Sequence, residues 1–367
     1  MAQVTEDQVI DALSTVIDEE KQQDIVSLGM VTGLQVRQGH VSFAIQVEPE
    51  RGPRMEPLRK SAEDIVHALP GVLTATVVLT AEKAADDGQR PSATQAEGPL
   101  MPQVRSIIAV ASGKGGVGKS TTAVNIALGL AQKGLKVGIL DADIYGPSIP
   151  RLLDISGQPG SSDGRTLNAM ENYGVQCMSM GFLVEEETPI IWRGPMVMSA
   201  LEQMMRDVAW DPLDVMIVDM PPGTGDAQLT MAQRVPLTGA VIVSTPQDIA
   251  LADARKGLNM FRKVSVPVFG IVENMSYFAC PHCGERTDIF NHGGAREEAG
   301  IMGIDCLGEI PLDIAIRETS DAGKPIVVSD PDSAHAKAYI EIADKVWAKA
   351  EAELADAEAN APRIVVQ

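Results

Sequence analysis

Two hydrophobic rhythms divide the chain. Over residues 1–80 the apolar positions alternate or recur at helical spacing: DQVIDALSTVID reads as a helix, VTGLQVRQ and VSFAIQVEP as strands, PLRKSAEDIVHAL as a helix and VLTATVVLT as a strand. Val41, Phe43, Ile45 and Val47 fall on one side of their strand, which predicts a small α+β domain with one buried sheet face. Across 81–103 the residues turn to Ala, Asp, Gly, Gln, Pro and Ser with no period, the composition of a flexible tether. Over 104–350 the apolar runs become continuous (SIIAVAS, KVGILDAD, DVMIVDMP, GAVIVSTP, VPVFGIVEN) and alternate with helical patterns. Strands apolar on both faces are covered on both faces, so this part is expected to be α/β, a mostly parallel sheet with helices on each side. The closing Ala-rich stretch, AKAYIEIADKVWAKAEAELADAEANAPRIVVQ, reads as a solvated acidic helix running into a loose tail at 351–367.

Composition narrows the class of function. The 30 Lys and Arg against 50 Asp and Glu leave a formal charge of −20 with no basic cluster, which opposes binding to nucleic acid or to anionic lipid. Four cysteines in 367 residues are too few for a secreted disulfide framework. No stretch reaches the length of a membrane span and MAQVTEDQVIDAL lacks the features of a signal peptide, so a soluble cytoplasmic protein is expected.

The clearest chemistry lies between SIIAVAS and the helical run TTAVNIALGLAQKG. Gly113, Lys114, Gly115, Gly116, Val117, Gly118, Lys119 and Ser120 satisfy GxxxxGK[ST], a phosphate-binding loop in its required strand-to-helix context. Glycines let backbone N–H groups converge on phosphate, and the helix start adds aligned dipoles. Lys119 is expected to reach the β- and γ-phosphates of ATP and Ser120 to hold Mg²⁺, with Thr121 beside them at the nucleotide. In that helix Val124, Ala127, Leu128 and Ala131 form a single stripe for the sheet. KVGILDAD ends in Asp141 and Asp143, and DVMIVDMPPGTGD carries Asp219 before a Pro-Pro-Gly turn; carboxylates at the carboxyl ends of parallel strands line a ligand crevice. Asp219 suits the Mg²⁺ shell and Asp143 the positioning of the attacking water. Gly223 has an N–H suited to sensing the γ-phosphate, and Asp141 has the alternative role of capping the next helix.

With its second lysine, Lys114, the loop resembles the deviant Walker A motif of the MinD/ParA class of ATPases. The resemblance implies a P-loop NTPase fold and a Lys114 that crosses a dimer to the partner's nucleotide, much as an arginine finger does. LDADIYGPSIPRLL, IIWRGPM, DMPPGTGDAQLT, STPQDIALADARKG, GIVENMSYFACPHCG and LGEIPLD are similar to the Mrp/ApbC branch of that class, the iron–sulfur cluster carriers. The branch implies that Asn274 and the Pro246-Gln247 turn lie near the adenine. Residues 5–80 resemble the small domain of iron–sulfur assembly factors, which implies a partner-binding module. EPERGPRMEP has no cysteine where members of that module can carry one, which weighs against a thiol role there.

Cys280-Pro-His-Cys283 sets two thiols on one tight turn, a soft chelate for zinc or iron. A zinc knuckle, a redox dithiol and a plain structural turn all remain open on that spacing alone. Two thiols fall short of the four ligands that tetrahedral zinc or a four-iron cluster requires, and a two-fold dimer makes up the difference by bringing the same turn from each copy to one axis. The Mrp likeness implies [4Fe–4S] in that place, an ATP-hydrolysing homodimer, and apo iron–sulfur proteins as recipients. The competing expectation is a MinD- or ParA-like positioning ATPase, which the acidic carboxyl end and the overall charge oppose.

Overall fold

The computed structural model describes residues 4–18, 21, 23–37, 40–47, 55–70, 72, 74–81, 100–161, 166–184, 194–291 and 293–360. Most of the tether, part of IIWRGPM, His292 and the end of the acidic tail lie outside the described residues. The chain divides into two compact units, Met1–Gln95 and Ala96–Gln367.

In the first unit, helix α1 (Glu6–Leu13) opens with a capping box between Thr5 and Gln8. Strands β1 (Val31–Arg37) and β2 (His40–Val47) pair antiparallel, and β3 (Thr74–Ala81) joins β2 in parallel after helix α2 (Glu56–His67). Val41, Phe43, Ile45 and Val47 all face the core, packed with Val9, Leu13, Ala62 and Val66 of the helices. The first helix is shorter than its sequence suggests: Ile17 and Asp18 leave it and pair antiparallel with Gln23 and Asp24.

The second unit is built on an eight-stranded sheet. Its strands are β4 (Val104–Ala111), β5 (Val137–Asp141), β6 (Met170–Asn172), β7 (Val175–Ser179), β8 (Leu213–Asp219), β9 (Gly239–Ser244), β10 (Val268–Glu273) and β11 (Cys306–Glu309). They lie in the order β11-β10-β9-β4-β8-β5-β7-β6, all parallel except β6, which runs antiparallel to β7. Helices α3 (Lys119–Gln132), α4 (Gly194–Arg206), α5 (Asp226–Arg234), α6 (Asp248–Lys263), α7 (Gly294–Met302) and α8 (Ala334–Asn360) connect and flank the strands. The parallel arrangement carries the carboxyl ends of β4, β5, β8, β9 and β10 to one edge, from which the phosphate loop, the turns after Asp141 and Asp219 and the segment of Cys280 and Cys283 all leave.

Two helices depart from the sequence reading. In α3 burial is not confined to one stripe: Thr122 through Leu130 are all buried, because α8 covers the side that the sheet leaves open. Gly129 sits at that crossing, where an added Cβ would stand 3.2 Å from the Ala343 methyl. The last helix is accordingly amphipathic rather than solvated, with Tyr339, Ile342, Ala343, Val346 and Trp347 buried. Full burial of a large aliphatic or aromatic side chain contributes about 1.5–3 kcal/mol, so this helix is part of the core. It runs on to Asn360, through the first part of the expected tail.

Candidate functional site

The loop after β4 folds as a phosphate cradle. Gly116 and Gly118 adopt φ of 81° and 80°, in the left-handed region that glycine enters without a Cβ penalty. Gly113 is required for a different reason: a Cβ there would overlap the backbone carbonyl of Asp253 in α6. Gly113→Ala must push α6 off the loop, and overpacking of this kind costs about 1–3 kcal/mol. Urea unfolding should show a loss in that range together with weaker ATP binding.

Lys119 opens α3 only 6% exposed, and its Nζ donates to Asp219 Oδ1 at 2.6 Å and to Ser120 Oγ at 3.2 Å. Ser120 Oγ in turn donates to Asp219 Oδ2 at 2.6 Å, and Asp143 Oδ2 lies 3.9 Å from the ammonium. Four residues named from sequence therefore meet around one point beneath a cleft of about 320 Å³, lined also by Gly115, Gly116, Thr121 and Pro222. A hydroxyl and two carboxylates are the hard oxygen donors that Mg²⁺ selects, and a cation, the Lys119 ammonium, already lies between them, so the donor set fits that ion. Arg151 and Ser148 line the same cleft; sequence reading passed over them, although both belong to the run LDADIYGPSIPRLL.

The acidic residues separate by environment. Asp141 and Asp219 are paired in register on adjacent strands, and both are fully buried. Burial, and next the Asp219 charge, push Asp141 up to about 7. Its oxygens accept from the N–H groups of Asp143, Ser148 and Ile149 and from Ser179 Oγ at 2.9–3.2 Å. Asp141 thus braces the turn that presents Asp143 and caps the short helix Ile149–Leu152, the alternative role open to it in the sequence. Asp143 is partly open to the cleft; burial raises it, with Lys119 opposing. A raised carboxylate beside a phosphate pocket is suited to taking a proton from water.

Two residues expected at the nucleotide bind the phosphate loop itself. The Gly223 N–H donates to the Ser112 carbonyl at 2.9 Å: with φ of 103°, the Pro-Pro-Gly turn folds back onto the phosphate loop and ties it to β8. Asn274 follows β10 at the ligand edge, but its buried amide donates to the Val117 carbonyl at 2.8 Å, bracing the cradle from beneath Gly118. Pro246 and Gln247 lie at the start of α6, with Gln247 as its N-cap. Lys114 is half-exposed and forms no ion pair among the described residues. A larger cleft of about 600 Å³, lined by Met180, Met196, Met204 and Val208, contains none of the site residues inferred from sequence.

The two thiols stand on a hairpin beyond β10. Phe278–Ala279 pairs antiparallel with Arg286–Thr287, and the Arg286 guanidinium lies 4.0 Å from the Tyr277 ring centre. The turn is closed by Cys280 N–H to the Glu285 carbonyl at 2.9 Å and Gly284 N–H to the Cys280 carbonyl at 2.8 Å, with Gly284 at φ 74°. Cys280 is half-buried and Cys283 exposed, both as free thiols. N–H groups of His282 and then Cys283 point at the Cys280 sulfur, and the Cys283 thiol adds a further bond, so the Cys280 pKa is lowered. That pattern favours thiolate, the form that binds metal. Burial instead raises Cys177 and Cys306. Among the described residues no group of three or more His, Cys, Asp or Glu converges on a point suited to a metal ion.

Comparison with known proteins gives the family. Residues 103–347 match the model of the NUBPL iron-transfer P-loop NTPase family, and residues 6–77 match that of the iron–sulfur cluster assembly protein family. The iron–sulfur cluster carrier protein of Synechocystis is 46% identical over 351 residues, 94% of this chain and 98% of that one. The iron–sulfur cluster transfer protein NUBPL of Dictyostelium discoideum is 60% identical over 245 residues, 66% of this chain and 76% of its own. Among solved structures, a nucleotide-binding protein of Archaeoglobus fulgidus in complex with ADP aligns with a TM-score of 0.56 at 41% identity, covering 63% of this chain and 90% of that one. The cell-division ATPase MinD of Pyrococcus furiosus shares the fold at 23% identity and a TM-score of 0.50, over 66% of this chain and 98% of that one. The chain belongs to the NUBPL family of iron-transfer P-loop NTPases, preceded by a domain of the iron–sulfur cluster assembly family.

Proposed function

We propose that the protein is an ATP-hydrolysing carrier that holds a [4Fe–4S] cluster between two copies of the chain and delivers it to apo iron–sulfur proteins. The observation that carries this reading is the pairing of two sites on one sheet edge: the cleft gathering Lys119, Ser120, Asp143 and Asp219, and a thiol turn whose own N–H groups favour thiolate at Cys280. The cluster is cargo. One chain supplies Cys280 and Cys283, so four thiolates require a partner, and a two-fold axis through the turns supplies them.

In the cleft, Gly115, Gly116 and Gly118 wrap the phosphates, Lys119 turns from Asp219 to the β- and γ-oxygens, and Thr121 lies beside them. Ser120 and Asp219 hold Mg²⁺, which when bound neutralises charge on the phosphate oxygens. Asp143 orients the attacking water, and Lys114 of each copy completes the cleft of the other. Stabilising cations of this kind are worth about 10³–10⁵ in rate. Lys114→Ala is therefore expected to bind ATP almost normally and to hydrolyse it at least about 100-fold more slowly; wild-type turnover in a steady-state phosphate assay would count against a shared cleft.

Counting iron, sulfide and nucleotide per dimer after anaerobic reconstitution tests the whole reading. A second reading has one observation in its favour, the exposed chelating turn, which suits structural zinc equally well. Stoichiometric zinc without iron in protein purified anaerobically would replace the carrier by an ATP-dependent adaptor.

A further inference from the structure

Glu273 ends β10 with no exposure to solvent, 0% by surface area. A buried carboxylate is tolerated only when its oxygens are hydrogen-bonded, and here three donors among the described residues do so. Ser276 Oγ donates to Oε1 at 2.5 Å, the Gly293 N–H to the same oxygen at 3.3 Å, and the Ala295 N–H to Oε2 at 2.6 Å. Ser276 stands where the chain leaves the sheet for the thiol hairpin, while Gly293 and Ala295 stand where it returns and enters α7. One carboxylate therefore clasps both ends of the segment that carries Cys280 and Cys283. It also supplies the cap that α7 lacks locally, since Gly293 has no side chain to offer, and its charge meets the positive end of that helix.

The next residue faces the other way. Asn274 holds the phosphate loop through the Val117 carbonyl, as successive positions at a strand end point to opposite sides. Two adjacent residues at one strand end thus grip the nucleotide cradle and the thiol segment. The returning segment is pinned a second time at Gly294, where a Cβ would stand 2.8 Å from the Leu251 side chain and 3.0 Å from the Pro246 carbonyl.

We propose that Glu273 is a positioning residue for the thiol site, holding the hairpin of Cys280 and Cys283 at a set place relative to the phosphate loop. The proposal rests on the reading of that turn as a metal–thiolate site, and it assigns Glu273 no contact with nucleotide or metal. Glu273→Gln keeps the volume but turns an amide N–H₂ toward donors that need an acceptor, a loss typical of buried charged hydrogen bonds. Ser276→Ala removes one donor and leaves the carboxylate.

The test uses full-length, metal-free protein and three readouts: hydrogen exchange over 276–295, Co²⁺ binding followed by thiolate charge-transfer absorbance, and Mg-ADP affinity. In Glu273→Gln, exchange in that segment is expected to accelerate about tenfold. Co²⁺ affinity is expected to fall about tenfold, the scale of losing an outer support of a metal site, with Mg-ADP affinity within about twofold of wild type. Ser276→Ala should move the first two readouts in the same direction by less, and it decides the matter if the Gln variant does not fold. Wild-type exchange over 276–295 in both variants overturns the proposal, as does acceleration spread evenly over the whole ATPase domain. Wild-type protein that takes up neither Co²⁺ nor iron through Cys280 and Cys283 ends the metal–thiolate reading instead, a result separable from the exchange data.

Discussion

Cys280→Ser and Cys283→Ser, each reconstituted with iron and sulfide without oxygen, are expected to retain less than about a tenth of the wild-type cluster absorbance. In the proposed symmetric dimer each substitution would remove two of the four thiolates. A serine hydroxyl does not ionise near neutral pH and is a harder donor than iron in a sulfide cluster prefers. The two variants should not be equal in the metal-free protein. Cys280 receives the N–H groups of the turn, so its replacement by the shorter serine draws the acceptor away from those donors, whereas Cys283 is exposed. Thermal unfolding should place Cys283→Ser close to wild type and Cys280→Ser slightly below it. A full cluster in both variants would remove the thiol turn from the function.

Lys119→Ala is expected to weaken Mg-ATP binding by about 100-fold or more, since it removes charge-assisted bonds to two phosphates. It has a second consequence that a surface lysine would not. Asp219 is buried, and without the ammonium it keeps Ser120 as its hydrogen-bond donor. Breaking a buried pair by deleting one partner costs about 3–5 kcal/mol, so the variant should melt well below wild type. Because Lys119 lies where the oxygen donors suit Mg²⁺, millimolar Mg²⁺ without nucleotide should stabilise Lys119→Ala more than it stabilises wild type. Calorimetric titration with Mg-ATP and melting curves with and without Mg²⁺ check both points; wild-type ATP affinity in a folded Lys119→Ala protein would sink the assignment of this cleft.

Much of the second unit was legible in its runs of apolar residues. SIIAVAS, KVGILDAD, DVMIVDMP, GAVIVSTP and VPVFGIVEN all form strands, because continuous Val and Ile runs need a sheet buried on both faces. The strands β6, β7 and β11 were not legible. VQCMS and CLGE are short and poor in β-branched residues, and they become strands through the neighbours they pair with. The acidic closing helix misled for a related reason: its Ala-rich composition hides an apolar face that only α3 makes necessary.

By itself, the sequence determined which atoms are available. Glycines at 113, 115, 116 and 118 permit a phosphate cradle, a lysine and a serine follow them, and two thiols share one turn; these are local relations set by chain geometry within a few residues. Tertiary structure alone decided which distant groups meet. Lys119 finds Asp219 across 100 positions and Asn274 finds Val117 across 157, and the bond of the Gly223 N–H to Ser112 and the clasp of Glu273 on both ends of the thiol segment have the same origin. The physical reason is that a buried polar group must be paired, yet the identity of its partner depends on strand order, and strand order is a property of the packed sheet rather than of any stretch of the chain.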